Sequence, residues 1–282
     1  MINQAPPYLS QDVVDMIKDI QSKVNQPTIE KISISKINSE NFQHLKRYLG
    51  IRLDAPSFDI PISNDLPPPA FEWKEKTEPT HKGEYIAWLN KYIPLKDTLA
   101  WCDVGGIQNL FHVHNDPRLP YGVHGGTDVV VAGKTFIENK LIQVGIRTVL
   151  ELKKHVEANH VYQTILKMIV ADLISNAIVF GILSDLIDHW QIFWLEDDKS
   201  VKVWKAPSRG VAVKEISTLL QGKGPESIEE GTSIIIPAAK PVKLNTIMPK
   251  ITMEENDDIA RMEDVYDVMT REEYGIIKSE LL

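Results

Sequence analysis

Two apolar runs in the middle of this chain each carry an acid where a buried strand would otherwise be wholly hydrophobic. They are Gly126-Thr127-Asp128-Val129-Val130-Val131 and Val149-Leu150-Glu151-Leu152-Lys153-Lys154. Their valine and leucine content predicts strands. Successive strand side chains point to opposite faces. Leu150 and Leu152 are therefore predicted to anchor the second strand in the core, while Arg147, Val149, Glu151 and Lys153 share the other face. Asp128 opens its strand directly after Gly125-Gly126, where missing side chains leave room for a ligand. A fold that brings these runs together places two carboxylates beside an ammonium.

The surrounding pattern supplies a scaffold. Further strands are expected at Phe136 to Ile137, Leu141 to Val144 and Ile178 to Leu183, and the second acid-bearing strand at Thr148 to Lys153. Trp190 to Leu195 and Val201 to Trp204 read as a hairpin turning through Glu196-Asp197-Asp198-Lys199-Ser200. A long apolar helix is predicted from His160 to Asn176. Another runs from Gly83 to Ile93, with Ile86, Leu89, Asn90 and Ile93 on one side and Pro94 stopping it. Helix, strands, helix, strands in that order indicates an α/β or α+β domain over about residues 81–220, and α/β is the fold class expected. Residues 1–80 read as an N-terminal extension, with a helix at Asp12 to Val24, a second at Asn41 to Leu49, and an extended arm from Pro56 to Pro79 holding six prolines. Residues 221–282 form a C-terminal extension with an acidic tail, and no internal repeat is evident.

Composition sets limits on what this chain does. One cysteine, Cys102, excludes an internal disulfide and a four-cysteine zinc site. The N-terminal Met1-Ile2-Asn3-Gln4-Ala5-Pro6-Pro7 shows no signal peptide, and the longest apolar candidate, Ile165 to Leu186, is broken by Lys167, Asp172, Asn176 and Asp185, so no membrane span is expected. The net charge of -8 argues against strong nonspecific affinity for nucleic acid. Most of that charge sits in the tail, however: Glu254 to Glu280 holds ten acidic residues against Arg261, Arg271 and Lys278, a net of -7. The remainder is close to neutral, and a locally basic face can still meet phosphates.

Two carboxylates and a lysine are a minimal set for metal-assisted phosphodiester cleavage. Mg²⁺ (or Mn²⁺) stabilises the extra charge of the transition state and yields a hydroxide near neutral pH, and as a hard cation it takes oxygen ligands. Asp128 and Glu151 are the expected ligands, with the carbonyl of Leu152 as a third and Glu84 completing the shell from the helix before the Gly-rich loop. Lys153 is expected to orient the water or to offset charge on the phosphate. Gln163 lies with His160 and Lys167 in a polar stripe at i, i+3 and i+7 on the long helix, where it could hold a backbone phosphate or the attacking water. Singly, each has a plainer reading. Glu-x-Lys is most often a surface ion pair, Glu84 a helix-start carboxylate favoured by the helix dipole, and Gln163 a buried hydrogen-bond partner. The combination is what points to a site.

Other candidates are weaker. His112-x-His114, with Asp116 and His124, offers a second metal site, but histidines before a Pro-rich loop read better as polar rim residues. Gly105-Gly106 and Gly125-Gly126 lack the spacing and the Lys-Ser/Thr of a phosphate loop. No Gly-x-Ser-x-Gly elbow is present, and Cys102 beside Trp101 reads as packed rather than nucleophilic.

Taken with Gly181-Ile182-Leu183-Ser184-Asp185 and Trp190-Gln191-Ile192-Phe193-Trp194-Leu195, these motifs resemble the PD-(D/E)XK restriction-endonuclease-like domain over about residues 81–205. The similarity is greatest to the version at the C-terminus of Crinkler effector proteins of oomycetes and fungi. The resemblance implies a restriction-endonuclease-like core, with a central mixed sheet flanked by helices, a divalent-metal site, and DNA as substrate. Asp128 and Glu151 match the metal carboxylates, Lys153 the catalytic lysine, Gln163 the polar residue after it, and Glu84 the acid of the first helix. The chain departs from the family in showing no Leu-rich translocation leader, and in a long gap between Asp128 and Glu151 that suits an extra hairpin turn at Glu138-Asn139-Lys140. An intracellular location is expected, the nucleus included, although no run of five or more Lys/Arg marks nuclear import. Such domains can lose activity and keep the fold. The alternative is therefore an inactive module binding DNA or, through its flanks, a protein partner.

Overall fold

The computed structural model describes residues 30–58, 66–74, 78–221 and 240–248. The helix predicted over 12–24 and the acidic tail lie outside those residues. In chain order the elements are β1 (Lys31–Ser33), a 3-10 turn Ile34–Lys36, α1 (Ser39–Leu49), β2 (Arg52–Asp54), a 3-10 turn Glu78–His81, α2 (Lys82–Tyr92), β3 (Leu99–Asp103), β4 (Gly122–His124), β5 (Val129–Gly133), α3 (Lys134–Glu138), a 3-10 turn Ile142–Gly145, β6 (Ile146–Leu152), α4 (Ala158–Ile174), β7 (Phe180–Ser184), β8 (Trp190–Leu195), β9 (Ser200–Lys205), α5 (Arg209–Gln221) and α6 (Leu244–Ile247).

Seven strands form one mixed sheet in the order β2-β9-β8-β7-β6-β5-β3. β6 and β7 are parallel, joined across the sheet by α4, as a parallel pair requires. β5 lies antiparallel between β3 and β6, and β8 and β9 form the expected hairpin. The fold is α/β with helices on both faces. Strand alternation divides the core in two. Val130, Val149, Leu183 and Phe193 meet α1 and α4 on one face. Val129, Val131, Leu150, Leu152, Ile182 and Trp194 meet α2 and α5 on the other. Among the described residues no helix is long and apolar enough to cross a membrane.

α4 is buried all round. Every residue from Gln163 to Asp172 is buried, which one apolar stripe against a sheet cannot produce. The sheet covers its inner side. The segments carrying Ile34, Phe42, Leu45 and Leu244 belong to the same core and cover its outer side. Residues 31–54, placed by composition in an N-terminal extension, thus supply an edge strand to the main sheet, where Leu53 pairs with Val201, and a cover for its central helix. β1 pairs in parallel with β4 as a small separate sheet. Within the proline-rich arm, residues 66–74 run extended along the other face: the Phe71 N–H donates to the Leu186 carbonyl, Trp73 Nε1 to Asp185, and Arg209 Nε reaches the Pro68 carbonyl.

Three local expectations are corrected. Residues 136–137 and 141–144 are not strands but α3 and the turn Ile142–Gly145. The Phe136 ring lies so close over Gly145 that a Cβ there would sit 2.5 Å from it, so α3 and the turn pack on each other as a corner. Lys140 reverses the chain at φ 59°, so the long gap before Glu151 is filled by a helical corner, not a hairpin. Of the expected stripe on α2, Leu89 and the following Ile93 are fully buried and Ile86 partly so, but Asn90 is exposed and the face centres on Tyr85 and Trp88, whose rings carry the most apolar surface. The strand placed at 178–183 runs from Phe180 to Ser184.

Candidate functional site

β5 and β6 pair with Val129 opposite Leu150. Continuing that antiparallel register one step puts Asp128 opposite Glu151, and directly opposed residues share a face. Thr127 fixes the entry into β5 by donating its hydroxyl to the Leu150 carbonyl at 3.0 Å. The Leu152 N–H donates to Asp128 Oδ2 at 2.9 Å and holds that carboxylate over the end of β6. On the other side of β6, the Lys153 N–H donates to the Ser184 carbonyl, so the site rests on the central three strands.

The side chains form a compact charge cluster. Lys153 Nζ lies 2.9 Å from Glu151 Oε1 and 3.9 Å from Asp128 Oδ2, and it donates to the Leu152 carbonyl at 3.0 Å. Lys167, reaching down from α4, pairs with Glu151 Oε2. Each Glu151 oxygen therefore faces an ammonium. The Glu151 side chain is only 3% exposed and that of Lys167 8%, against 19% for Lys153 and 36% for Asp128. Burial alone would push the Glu151 carboxyl up, but Lys167 and Lys153 bring it below its usual range. Burial, and then the charge of Glu151, push Asp128 up to about 6.

A cavity of about 390 Å³ opens over Asp128. Its walls include Gly105, Ile107, Asn109, Gly125 and Lys167. Gly125 has φ 151°, and a Cβ there would lie 3.1 Å from Ile34, so the glycine step ahead of Asp128 serves both the chain path and the packing beneath it.

Of the sequence-derived residues, Asp128, Glu151, Leu152 and Lys153 are brought together. Gln163 is not in that cluster; it is buried, and its Nε2 donates to the Ser35 carbonyl at 3.1 Å, tying α4 to the N-terminal segment. Glu84 lies apart, held by Lys74 Nζ at 2.9 Å and His81 Nδ1 at 3.2 Å, which keep its carboxyl below the usual range. Among the described residues no three His, Cys, Asp or Glu side chains are grouped to hold a metal. His112 and His114 are exposed with ring centroids 6.2 Å apart, while Asp116 bonds Arg118. The Cys102 thiol is half-buried, and burial pushes its pKa up. Lys167 reads from the sequence as one member of a polar stripe with no role of its own. Its signal was there: a single lysine inside Ile165-Leu166-Lys167-Met168-Ile169 needs an anion when that helix is buried.

The chain is similar to Crinkler effector proteins. It is 26% identical to Crinkler effector protein 2 of Phytophthora infestans and 25% identical to Crinkler effector protein 4 of Phytophthora capsici, over 90% of its own length in each case. It spans 60% and 64% of those relatives' lengths, so each contains further sequence that this chain does not match. No protein-family model matches the chain, and no solved structure matches it. The similarity to Crinkler proteins thus extends beyond residues 81–205, in keeping with flanks that pack onto the sheet and its central helix.

Proposed function

We propose that this chain is a divalent-metal-dependent nuclease with a restriction-endonuclease-like core, cleaving phosphodiester bonds of DNA as part of a Crinkler-type effector. The observation that carries this reading is the convergence of Asp128, Glu151 and Lys153 at the end of two paired central strands, beside a cavity. The donor set suits a hard cation: two carboxylates and the Leu152 carbonyl, all oxygen. Burial, and after it the charge of Glu151, raise Asp128 to about 6, and an added dication would favour the ionised carboxylate. Asp128 and Glu151 would hold the ion, which when bound supplies a Lewis acid and an acidified water.

The chain's own residues do the positioning. The Leu152 N–H fixes the rotamer of Asp128. Lys153 lies between both acids and can turn its ammonium toward a phosphate oxygen over Asp128. Leu150 and Leu152, buried on the opposite face, keep β6 rigid and dry beneath the site. Gln163 contributes indirectly by locking α4 in place.

The test is incubation of the full chain with supercoiled plasmid in Mg²⁺ or Mn²⁺, with EDTA as control. Asp128→Ala and Glu151→Ala should each abolish cleavage; variants that cut as fast as the parent would refute the site. One observation favours a second reading, a nuclease-fold module that binds DNA or a protein without cutting. Among the described residues no third acid joins the pair, and both Glu151 oxygens are already held by lysines. A parent chain that binds DNA or a partner protein without nicking it in either ion would establish that reading.

A further inference from the structure

Resting on the metal-site reading above, we propose that Lys167 is the resident counter-ion of Glu151, which a divalent cation must displace from the carboxylate in order to bind. Four observations converge on this. Lys167 pairs with Glu151 Oε2 while Lys153 holds Oε1, so neither oxygen is free for an ion while both pairs persist. With all groups charged, Asp128 and Glu151 contribute two negative charges and Lys153 and Lys167 two positive ones, so the cluster is neutral. A dication added to a neutral, mostly buried cluster leaves it doubly positive unless an ammonium withdraws. Lys167 lines the cavity over Asp128, and among the described residues Glu151 is its only side-chain partner, so it leaves the carboxylate by breaking a single pair. Lys153 is tethered as well to the Leu152 carbonyl and lies near Asp128.

The exchange gives Lys167 two positions with two consequences. On Glu151 it neutralises a buried carboxylate and keeps the ion-free protein folded. Swung into the cavity, its ammonium lies over Asp128, on the side from which a phosphate enters. The ion's affinity is then set by a residue that never touches it. α4 also becomes part of the site through Lys167 rather than through Gln163, whose amide is committed to Ser35.

Mn²⁺ titration calorimetry on the full chain tests this with no appeal to cleavage. Lys167→Met keeps most of the side chain's length and removes its charge. It should bind Mn²⁺ at least tenfold more tightly than the parent, while Lys167→Arg should bind no more tightly than the parent. Binding in all of them should be lost on Asp128→Asn. Equal or weaker binding by Lys167→Met, still lost on Asp128→Asn, overturns the displacement and leaves the metal site standing. No Asp128-dependent binding by any of the proteins overturns the metal site itself. Binding by Lys167→Met but not by the parent supports displacement in its strongest form. A second measurement needs no variant: labelling of Lys167 in the parent by trinitrobenzenesulfonate, read by mass spectrometry. The rate should rise severalfold with saturating Mg²⁺ over EDTA, and an unchanged or slower rate overturns the proposal.

Discussion

Asp128→Asn should stabilise the ion-free protein at neutral pH, and the gain should disappear in acid. The Asp128 carboxyl titrates near 6 in the fold against an ordinary value of 3.8. Were the group fully enclosed, that difference would correspond to about 3 kcal/mol. The side chain is 36% exposed, so solvent screens part of it, and about 1–2 kcal/mol is expected. The folded value is the higher one, so the native state holds the proton more tightly than the unfolded chain does. Stability from that proton is therefore present at low pH and is lost as pH rises through about 6. The asparagine removes the charge and can still accept the Leu152 N–H. In EDTA at pH 7.5 its Tm should exceed the parent's by about 3–6 °C, and by pH 4 the two should coincide. Differential scanning calorimetry at both pH values reads the effect. A variant no more stable than the parent at pH 7.5, or equally advantaged at both, would show that the fold does not disfavour the ionised Asp128 carboxylate. Adding Mg²⁺ should reverse the order, because only the parent gains binding energy from the ion, about 2.7 kcal/mol at a hundredfold excess over Kd.

Three further outcomes follow from the same geometry. Glu151→Ala leaves Lys153 and Lys167 facing each other in a buried place and should cost about 3–5 kcal/mol in urea unfolding; the double change Glu151→Leu with Lys167→Met should recover most of that. Lys243 donates to the carbonyls of Asp172, Ser175 and Ala177 at the end of α4, so Lys243→Met should cost about 1.5–3 kcal/mol by the same assay. Gly125→Ala forces a side chain into a φ of 151° against Ile34; it should lower stability by about 1–3 kcal/mol and reduce plasmid cleavage more than the stability loss explains, since the distortion falls three residues before Asp128.

The centre of the sheet is legible in the sequence, and its edges are not. β5 to β8 and α4 carry long apolar runs whose length separates strand from helix. β2, Arg52-Leu53-Asp54, has no such signal; it becomes a strand only because β9 offers it an edge from nearly 150 residues away. Residues 136–137 and 141–144 read as strands because runs of two and four residues carry too little periodicity to decide, and the contact that joins them as a corner, Phe136 over Gly145, is in no local pattern. Glu151 and Lys153 are legible together because they stand two apart at the end of β6, where alternation sets their relation. Asp128 needed the β5–β6 register, which no local pattern contains. Glu84 shows the converse: a suitable residue type at a suitable helix start is drawn to Lys74 and His81 instead.

Lys167 explains why that asymmetry arises. Its charge reads as solvent-facing only when α4 is taken to be covered on one side. The residues that cover its other side are distant in sequence, Phe42 and Leu45 before it and Leu244 after it. With that cover in place, each polar group on the buried part of α4 must find a partner inside the protein. Gln163 takes the Ser35 carbonyl, Lys167 takes Glu151, and Asp172 accepts the N–H groups of Val179 and Leu244. The N-terminal segment, the acid-bearing strand and the C-terminal segment are thus each fastened to one helix by polar bonds, Lys243 adding to that of Leu244 at the helix end. The flanks act on the site through α4: by keeping Lys167 from water they oblige it to sit on Glu151, so the charge state of the candidate centre depends on chain that never touches it.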